Sequence, residues 1–146
     1  MKSTAIKILV PTDGSDNSKR AVEHLTNDLD WFKQVPEIHL LHVTLPIPLP
    51  NVKKYISREI IDGYHREESA KALEAVKSFL NQKKVKYIEH SAVGQIAETI
   101  TAFAKENKCD CIYMGTRGMS AIANAVLGSV ANKVLNLTTL PVILVK

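Results

Sequence analysis

Five short runs rich in Ile, Leu and Val, near residues 5–10, 38–43, 85–92, 110–114 and 140–145, alternate with stretches of helical period. This alternation constrains the fold more than any other feature of the chain. Val22, Leu25, Leu29 and Phe32 recur at spacings of three and four, as do Ile96, Ile100, Phe103 and Ala104, which marks one apolar face of a helix. Residues 57–83 predict a long helix, with Ile60, Ile61, Tyr64, Leu73, Val76 and Leu80 on its apolar face and Glu67, Glu68, Lys71, Glu74 and Lys77 on its outer face. A last helix is predicted over residues 125–137. Ser15 or Asn17 can cap the first helix. Pro46, Pro48 and Pro50 make the stretch after the second strand a loop. Strands that lack strict polar alternation and are separated by helices call for an open, mostly parallel sheet covered on both faces. At 146 residues, with no repeat or composition break, one domain spanning 1–146 is expected.

In such a sheet ligands bind beyond the carboxyl ends of the strands, where strand order reverses. The two most polar, glycine-bearing turns follow the first and fourth strands: Pro11-Thr12-Asp13-Gly14 and Gly115-Thr116-Arg117-Gly118. Nine residues separate Gly118 from Gly128 and Ser129, which stand at the start of the last helical pattern. Glycines there allow backbone N–H groups to approach an anion without an intervening Cβ, and a helix N-terminus leaves such donors unsatisfied. Ser129 adds a hydroxyl and Arg117 a cation, which is the chemistry of a phosphate cradle.

The usual owners of such a cradle are absent. No Gly-Lys-Ser or Gly-Lys-Thr supports a P-loop, and the turn after the first strand lacks G-x-G-x-x-G. Asp13 has no acidic neighbour on the strand side and the third strand ends in Ser91-Ala92-Val93-Gly94, which argues against a phosphoacceptor receiver domain. Ser129 sits in no nucleophile elbow. The five histidines show no metal-ligand spacing; His42 is expected to be packed or solvent-facing, with an approach to the site as the alternative. The formal charge of +4 comes from dispersed Lys and Arg with eight Phe, Trp or Tyr not interleaved among them, so no nucleic-acid surface is expected. Cys109 and Cys111 would share a strand face without bridging and are expected to be reduced, with Cys111 buried. The opening apolar run is short and interrupted by Lys7, and no run reaches membrane-spanning length, so a cytoplasmic protein free of the membrane is expected.

Taken together, Ile8-Leu9-Val10-Pro11-Thr12-Asp13-Gly14-Ser15, Leu41-His42-Val43, Asp110 to Gly118, Gly128-Ser129-Val130-Ala131 and Leu140-Pro141-Val142-Ile143-Leu144-Val145 resemble the universal stress proteins over essentially the whole chain. The resemblance implies an adenine-nucleotide α-hydrolase-like α/β fold with strand order 3-2-1-4-5. The family's ATP-binding members carry G-x2-G-x9-G-[S/T], and Gly115, Gly118, Gly128 and Ser129 match that spacing without a gap. An ATP-binding member is therefore implied. By position, Pro11, Thr12 and Asp13 would line the ribose and adenine side, Val43 would offer backbone groups to the adenine edge, and Met114 and Gly115 would pack near the ribose. Gly118, Gly128, Ser129 and Val130 would hold the phosphates, with Arg117 as an extra contact. Mg or Mn would be held through phosphate oxygens and water, with Asp13 the one nearby carboxylate. The resemblance also implies a homodimer through the C-terminal strand, Leu140 to Val145, and a nucleotide-dependent stress-response or regulatory role. Two alternatives stand beside it: a slow ATP hydrolase, and a nucleotide-free interaction module in which the glycines are structural. Residues 119–127 are apolar enough for either a core helix or a lid.

Overall fold

A computed structural model describes residues 5–47, 56–116 and 127–146. Within them β1 (Lys7–Pro11), α1 (Asp16–Asn27), β2 (Glu37–Thr44), α2 (Arg58–Gln82), β3 (Ile88–Val93), α3 (Ile96–Glu106), β4 (Cys111–Gly115), α4 (Ser129–Leu137) and β5 (Val142–Val145) follow in order. The strands form one sheet in the order β3-β2-β1-β4-β5. All four pairings are parallel. The chain winds outward from β1 in both directions, so the reversal of strand order lies between β1 and β4.

Two cores sit on the two faces, because successive side chains of a strand point opposite ways. Ile8, Val10, Ile38, Leu40, Cys111 and Tyr113 pack with Val22 and Leu25 of α1 and Leu73, Val76 and Leu80 of α2. Leu9, Leu41, Val43, Ile112 and Met114 pack with Ala97, Ile100 and Ala104 of α3 and Ala131 and Val134 of α4. The central strands therefore read as continuous apolar runs, one residue feeding each core in turn. Side chains such as Leu9, Leu40 and Ile112 are fully buried, each contributing about 1.5–3 kcal/mol of apolar transfer free energy.

Several boundaries differ from the sequence reading, each for a local reason. Ser15 caps α1 through its hydroxyl, accepting from the Ser18 N–H at 3.2 Å; Asn17 does not cap and lies within the helix. Helix α1 stops at Asn27, and Leu29 falls in a separate 3-10 turn, Leu29–Trp31. Ser57 caps α2, but that helix is buried only from Ser69 onward; Ile60 and Tyr64, read as core-facing, are exposed. At roughly 37 Å, α2 is longer than the sheet it covers. Its C-terminus closes in a Schellman motif, with Lys84 N–H bonded to the Asn81 carbonyl and Val85 N–H to the Leu80 carbonyl. That motif consumes Val85, so β3 begins at Ile88 rather than at residue 85.

Helix α3 closes the same way, with Lys108 N–H on the Lys105 carbonyl and Cys109 N–H on the Ala104 carbonyl. Cys109 is thus the apolar residue that seals a helix end, not part of a strand. It packs in the α3/α4 core while Cys111 packs in the α1/α2 core, so the two cysteines lie on opposite faces and not on one. Both are free and buried. Burial pushes the Cys111 thiol up to about 11, with Asp110 and Cys109 adding to it. The last helix starts at Ser129, four residues later than predicted; residues 117–126 lie outside the described residues.

Candidate functional site

Parallel strands bring their carboxyl ends to one edge of the sheet. Pro11, at the end of β1, sits in register with Leu41 of β2, and the Thr12 N–H continues the ladder to the Leu41 carbonyl at 2.8 Å. Pro11 and Thr12 are buried. Asp13 follows, exposed, and organises the turn: its Oδ1 accepts from the Ser15 N–H at 2.9 Å and from the Ser18 hydroxyl at 3.1 Å. This is an Asx turn leading straight into an N-cap. Gly14 completes it with φ of +85°, and a Cβ there would lie 3.2 Å from the Cα of Ala72 on α2. Only glycine meets both demands at low cost.

Val43 lies at the end of β2, buried in the α3/α4 core, and its strand runs on to the Thr44 carbonyl, which accepts from the Gly94 N–H at 3.0 Å. Met114 and Gly115 end β4, paired with Leu144 and Val145 of β5. Gly115 is glycine because α1 comes close. A Cβ on it would overlap the Asn17 side-chain oxygen and stand 2.9 Å from the Asn17 carbonyl oxygen. The next residue, Thr116, is buried, and it joins the strand to α4: its N–H donates to the Val145 carbonyl at 3.0 Å and its carbonyl accepts from the Gly128 N–H.

Gly128 is the N-cap of α4, with extended backbone (φ −72°, ψ 165°) and no side-chain cap. Its carbonyl accepts from the Asn132 N–H at 3.0 Å. The first-turn N–H groups of Ser129, Val130 and Ala131 have no intrahelical acceptor, as at any helix start, and together with the helix dipole they favour an anion. Ser129 is exposed and Val130 half-buried against the α3/α4 core.

Of the residues read from sequence, Pro11, Thr12, Asp13, Val43, Met114 and Gly115 thus stand at the carboxyl edge of three adjacent strands. Gly128, Ser129 and Val130 are tied to that edge through Thr116. Arg117 and Gly118 lie outside the described residues. Two further groups belong to this edge: Asn17, expected from the sequence only as a cap, and His42. Asn17, buried at 7% exposure, is the surface against which Gly115 packs. His42, on the α1/α2 side of β2, is packed against α2 rather than solvent-facing, and it stands beside this edge. It is half-buried and hydrogen-bonded through Nδ1 to the Ser69 hydroxyl at 2.8 Å. Burial holds its imidazole below the usual histidine value, against the opposing pull of Asp13 and Glu68. The turn at Thr12-Asp13-Gly14-Ser15 is legible in the sequence, whereas the approach of Asn17 to Gly115 joins segments about two-thirds of the chain apart and leaves no local mark. Among the described residues no three His, Cys, Asp or Glu side chains converge as a metal site, and no helix is long and apolar enough to cross a membrane.

The model of the universal stress protein family matches residues 6–146 of the chain. Universal stress protein MJ0531 of Methanocaldococcus jannaschii is 35% identical over 140 residues, which cover 96% of this chain and 81% of that protein. Among solved structures, protein MJ0577 of the same organism superposes with a TM-score of 0.81 at 28% identity, covering 99% of this chain and 97% of that one. Two more distant structures share the fold. One is a universal stress protein in complex with cAMP, at TM-score 0.68 and 22% identity, covering 99% of both chains. The other, from Archaeoglobus fulgidus, is in complex with dAMP, at TM-score 0.66 and 21% identity, covering 99% of this chain and all of that one.

Proposed function

The chain belongs to the universal stress protein family, and we propose that it binds ATP at the carboxyl edge of β1, β2 and β4 and works as a nucleotide-dependent regulatory module. One observation carries this reading. Gly115 ends β4, Gly128 and Ser129 open α4, and the Gly128–Thr116 hydrogen bond joins that helix start to the strand ends bearing Pro11, Thr12, Asp13 and Val43. The cAMP and dAMP complexes of distant relatives support an adenine nucleotide as the ligand class.

The residues present fit such a ligand. Pro11, Thr12 and Asp13 would line the ribose and adenine side, with the exposed Asp13 as acceptor for ribose hydroxyls. Val43 would present backbone polar groups to the adenine edge, and Met114 and Gly115 would pack near the ribose. The uncapped first turn of α4, with Ser129 and Val130, would meet the phosphates together with Gly118 and Arg117. A Mg or Mn ion would be held chiefly by phosphate oxygens and water, because Asp13 is the one carboxylate on these turns and its Oδ1 already accepts two hydrogen bonds. An Asp13 so engaged is a turn-former rather than a general base, which favours binding and regulation over hydrolysis.

The same reading makes β5 a pairing edge: it is a sheet border, and Ile143 on it is exposed. A homodimer across β5 in the cytoplasm, each copy a single 1–146 domain, completes the proposal. ATP with a divalent cation should raise Tm. At a hundredfold excess over Kd the gain is about 2.7 kcal/mol, or roughly 5–10 °C for a chain of this size. No shift at millimolar ATP would end this reading, and mass analysis of the nucleotide released on denaturation would name the bound species. Phosphate release that vanishes in Asp13→Ala would move the reading to a slow hydrolase. Light scattering on Ile143→Lys tests the dimer.

A further inference from the structure

Away from the strand ends just described, the amino-terminal half of β2 carries a buried polar array that reaches the edge strand β3. His39 is buried, 5% exposed, and both ring nitrogens are engaged. Its Nε2 lies 2.7 Å from Glu37 Oε1, and its Nδ1 lies 2.9 Å from Nε2 of His90 on the edge strand β3. The two imidazoles are nearly parallel, 13° apart, and His90 also meets the Phe103 ring of α3 at 4.7 Å between centroids.

The hydrogen bonds dictate where protons reside. The Glu37 carboxylate can only accept, so His39 Nε2 carries a hydrogen. With both rings neutral, His39 Nδ1 is bare and accepts from the Nε2–H of His90. One added proton is absorbed without breaking either bond: it enters at the Nδ1 of His90, or it resides on His39 while His90 changes tautomer. The Glu37 carboxylate balances the charge. A second proton has no such place. Both facing nitrogens would then bear hydrogens 2.9 Å apart, and two imidazolium ions would lie in contact.

The charged groups around the pair reinforce this limit. From β1, Lys7 faces it, its ammonium bonded to the Asn107 carbonyl at 3.0 Å, and the Asp110 carboxylate accepts from the Lys7 backbone N–H. From β3, Glu89 is turned away to Lys77 of α2 at 2.8 Å. From α3 it is Phe103 that packs on His90, while Glu98 of that helix is turned to Lys133. Burial, with His39 and Lys7, holds His90 below the usual histidine value.

We propose that Glu37, His39 and His90 form a one-proton site that latches the edge strand β3 to β2 and releases it when acid forces a second proton into the pair. The pairing His39↔Ile88, Leu41↔His90 continues to Val43↔Ala92, so release begins in the amino-terminal half of β2 and can spread along the same ladder toward Val43. The site does not depend on any nucleotide.

Ring nitrogen NMR across pH 7.5 to 4 tests it, together with amide hydrogen exchange corrected for intrinsic rates. The expected result is an Nε2–H tautomer for His39 at neutral pH and two separate protonation steps for the pair. In the second step the β3 amides lose protection relative to β1 amides by about tenfold per pH unit, the slope for one linked proton. His90→Gln keeps a donor toward His39 but cannot take a proton, and should hold the β3 change under about threefold over the same range. Glu37→Gln should move the first step to lower pH by about one unit, through loss of the balancing charge. A flat β3 response in the wild-type protein, an unchanged acid response in His90→Gln, or an Nδ1–H tautomer for His39 would each overturn the proposal. If His90→Gln does not fold, Glu37→Gln decides, and an unmoved first step overturns it.

Discussion

Gly115 and Gly128 belong to one sequence motif, yet they are glycines for different reasons. Gly115 closes a strand under a helix. The Asn17 carbonyl oxygen would stand 2.9 Å from any Cβ, and backbone cannot swing aside as a long side chain can. Gly128 opens a helix in an extended conformation that every residue adopts, and its N–H and C=O are both bonded to backbone. The first glycine serves packing and the second leaves a helix start bare. A motif that reads as one binding signature is therefore part scaffold and part donor surface, and its spacing says nothing of which part is which.

Substitution separates the two, and the largest effect is expected at Gly115. Gly115→Ala should destabilise the fold by about 3 kcal/mol, roughly a 10 °C fall in Tm, since overpacking against fixed backbone finds no easy relaxation. A loss under about 1 kcal/mol in a urea melt would show that the α1–β4 contact gives way and would erase the contrast. Gly128→Ala should cost about 1 kcal/mol or less in the same melt, the usual penalty for alanine at an N-cap. It should weaken ATP about tenfold in calorimetric titration, because a Cβ intrudes where the donors face the ligand. Equal losses of stability in the two variants would dissolve the comparison.

The inverse case sharpens it. At Lys84 and Lys108 the backbone is left-handed, with φ of 56° and 54°, at the point of a Schellman motif where glycine is the common residue. Lys84→Gly and Lys108→Gly should each stabilise the fold by up to about 1 kcal/mol, seen as a higher urea midpoint. Loss of stability instead would mean that the lysine side chains contribute more than the strain they impose. The smallest effect is on pH. Burial keeps His42 and His90 neutral below the usual histidine value near 6.5, so below that pH the unfolded chain takes up protons that the folded chain refuses. Their contribution is fully present above about pH 6.5 and is lost as pH falls through the folded values. The urea midpoint should decline from pH 7 to 5, and His42→Gln should flatten part of that decline. An unchanged slope would remove His42 from the account.

The sequence by itself determined the element order, the sheet's parallel character and the carboxyl-edge location of the polar turns. Periodicity, caps and proline placement are local, and local geometry is what they constrain. The family resemblance marked Pro11 to Asp13, Val43, Met114 and Gly115 as parts of one site, and they stand at one edge of the sheet. Only the tertiary structure decided what joins residues distant in the chain. It placed Asn17 against Gly115, tied Gly128 to Thr116, set Cys109 and Cys111 in different cores, left Ile60 and Tyr64 outside and brought His90 to His39. Each of these depends on strand register or on where a helix stops. Register is set by pairing between segments up to a hundred residues apart, while a helix end such as that of α3 shifts a residue like Cys109 from strand to cap. Neither is written in the period of any one segment.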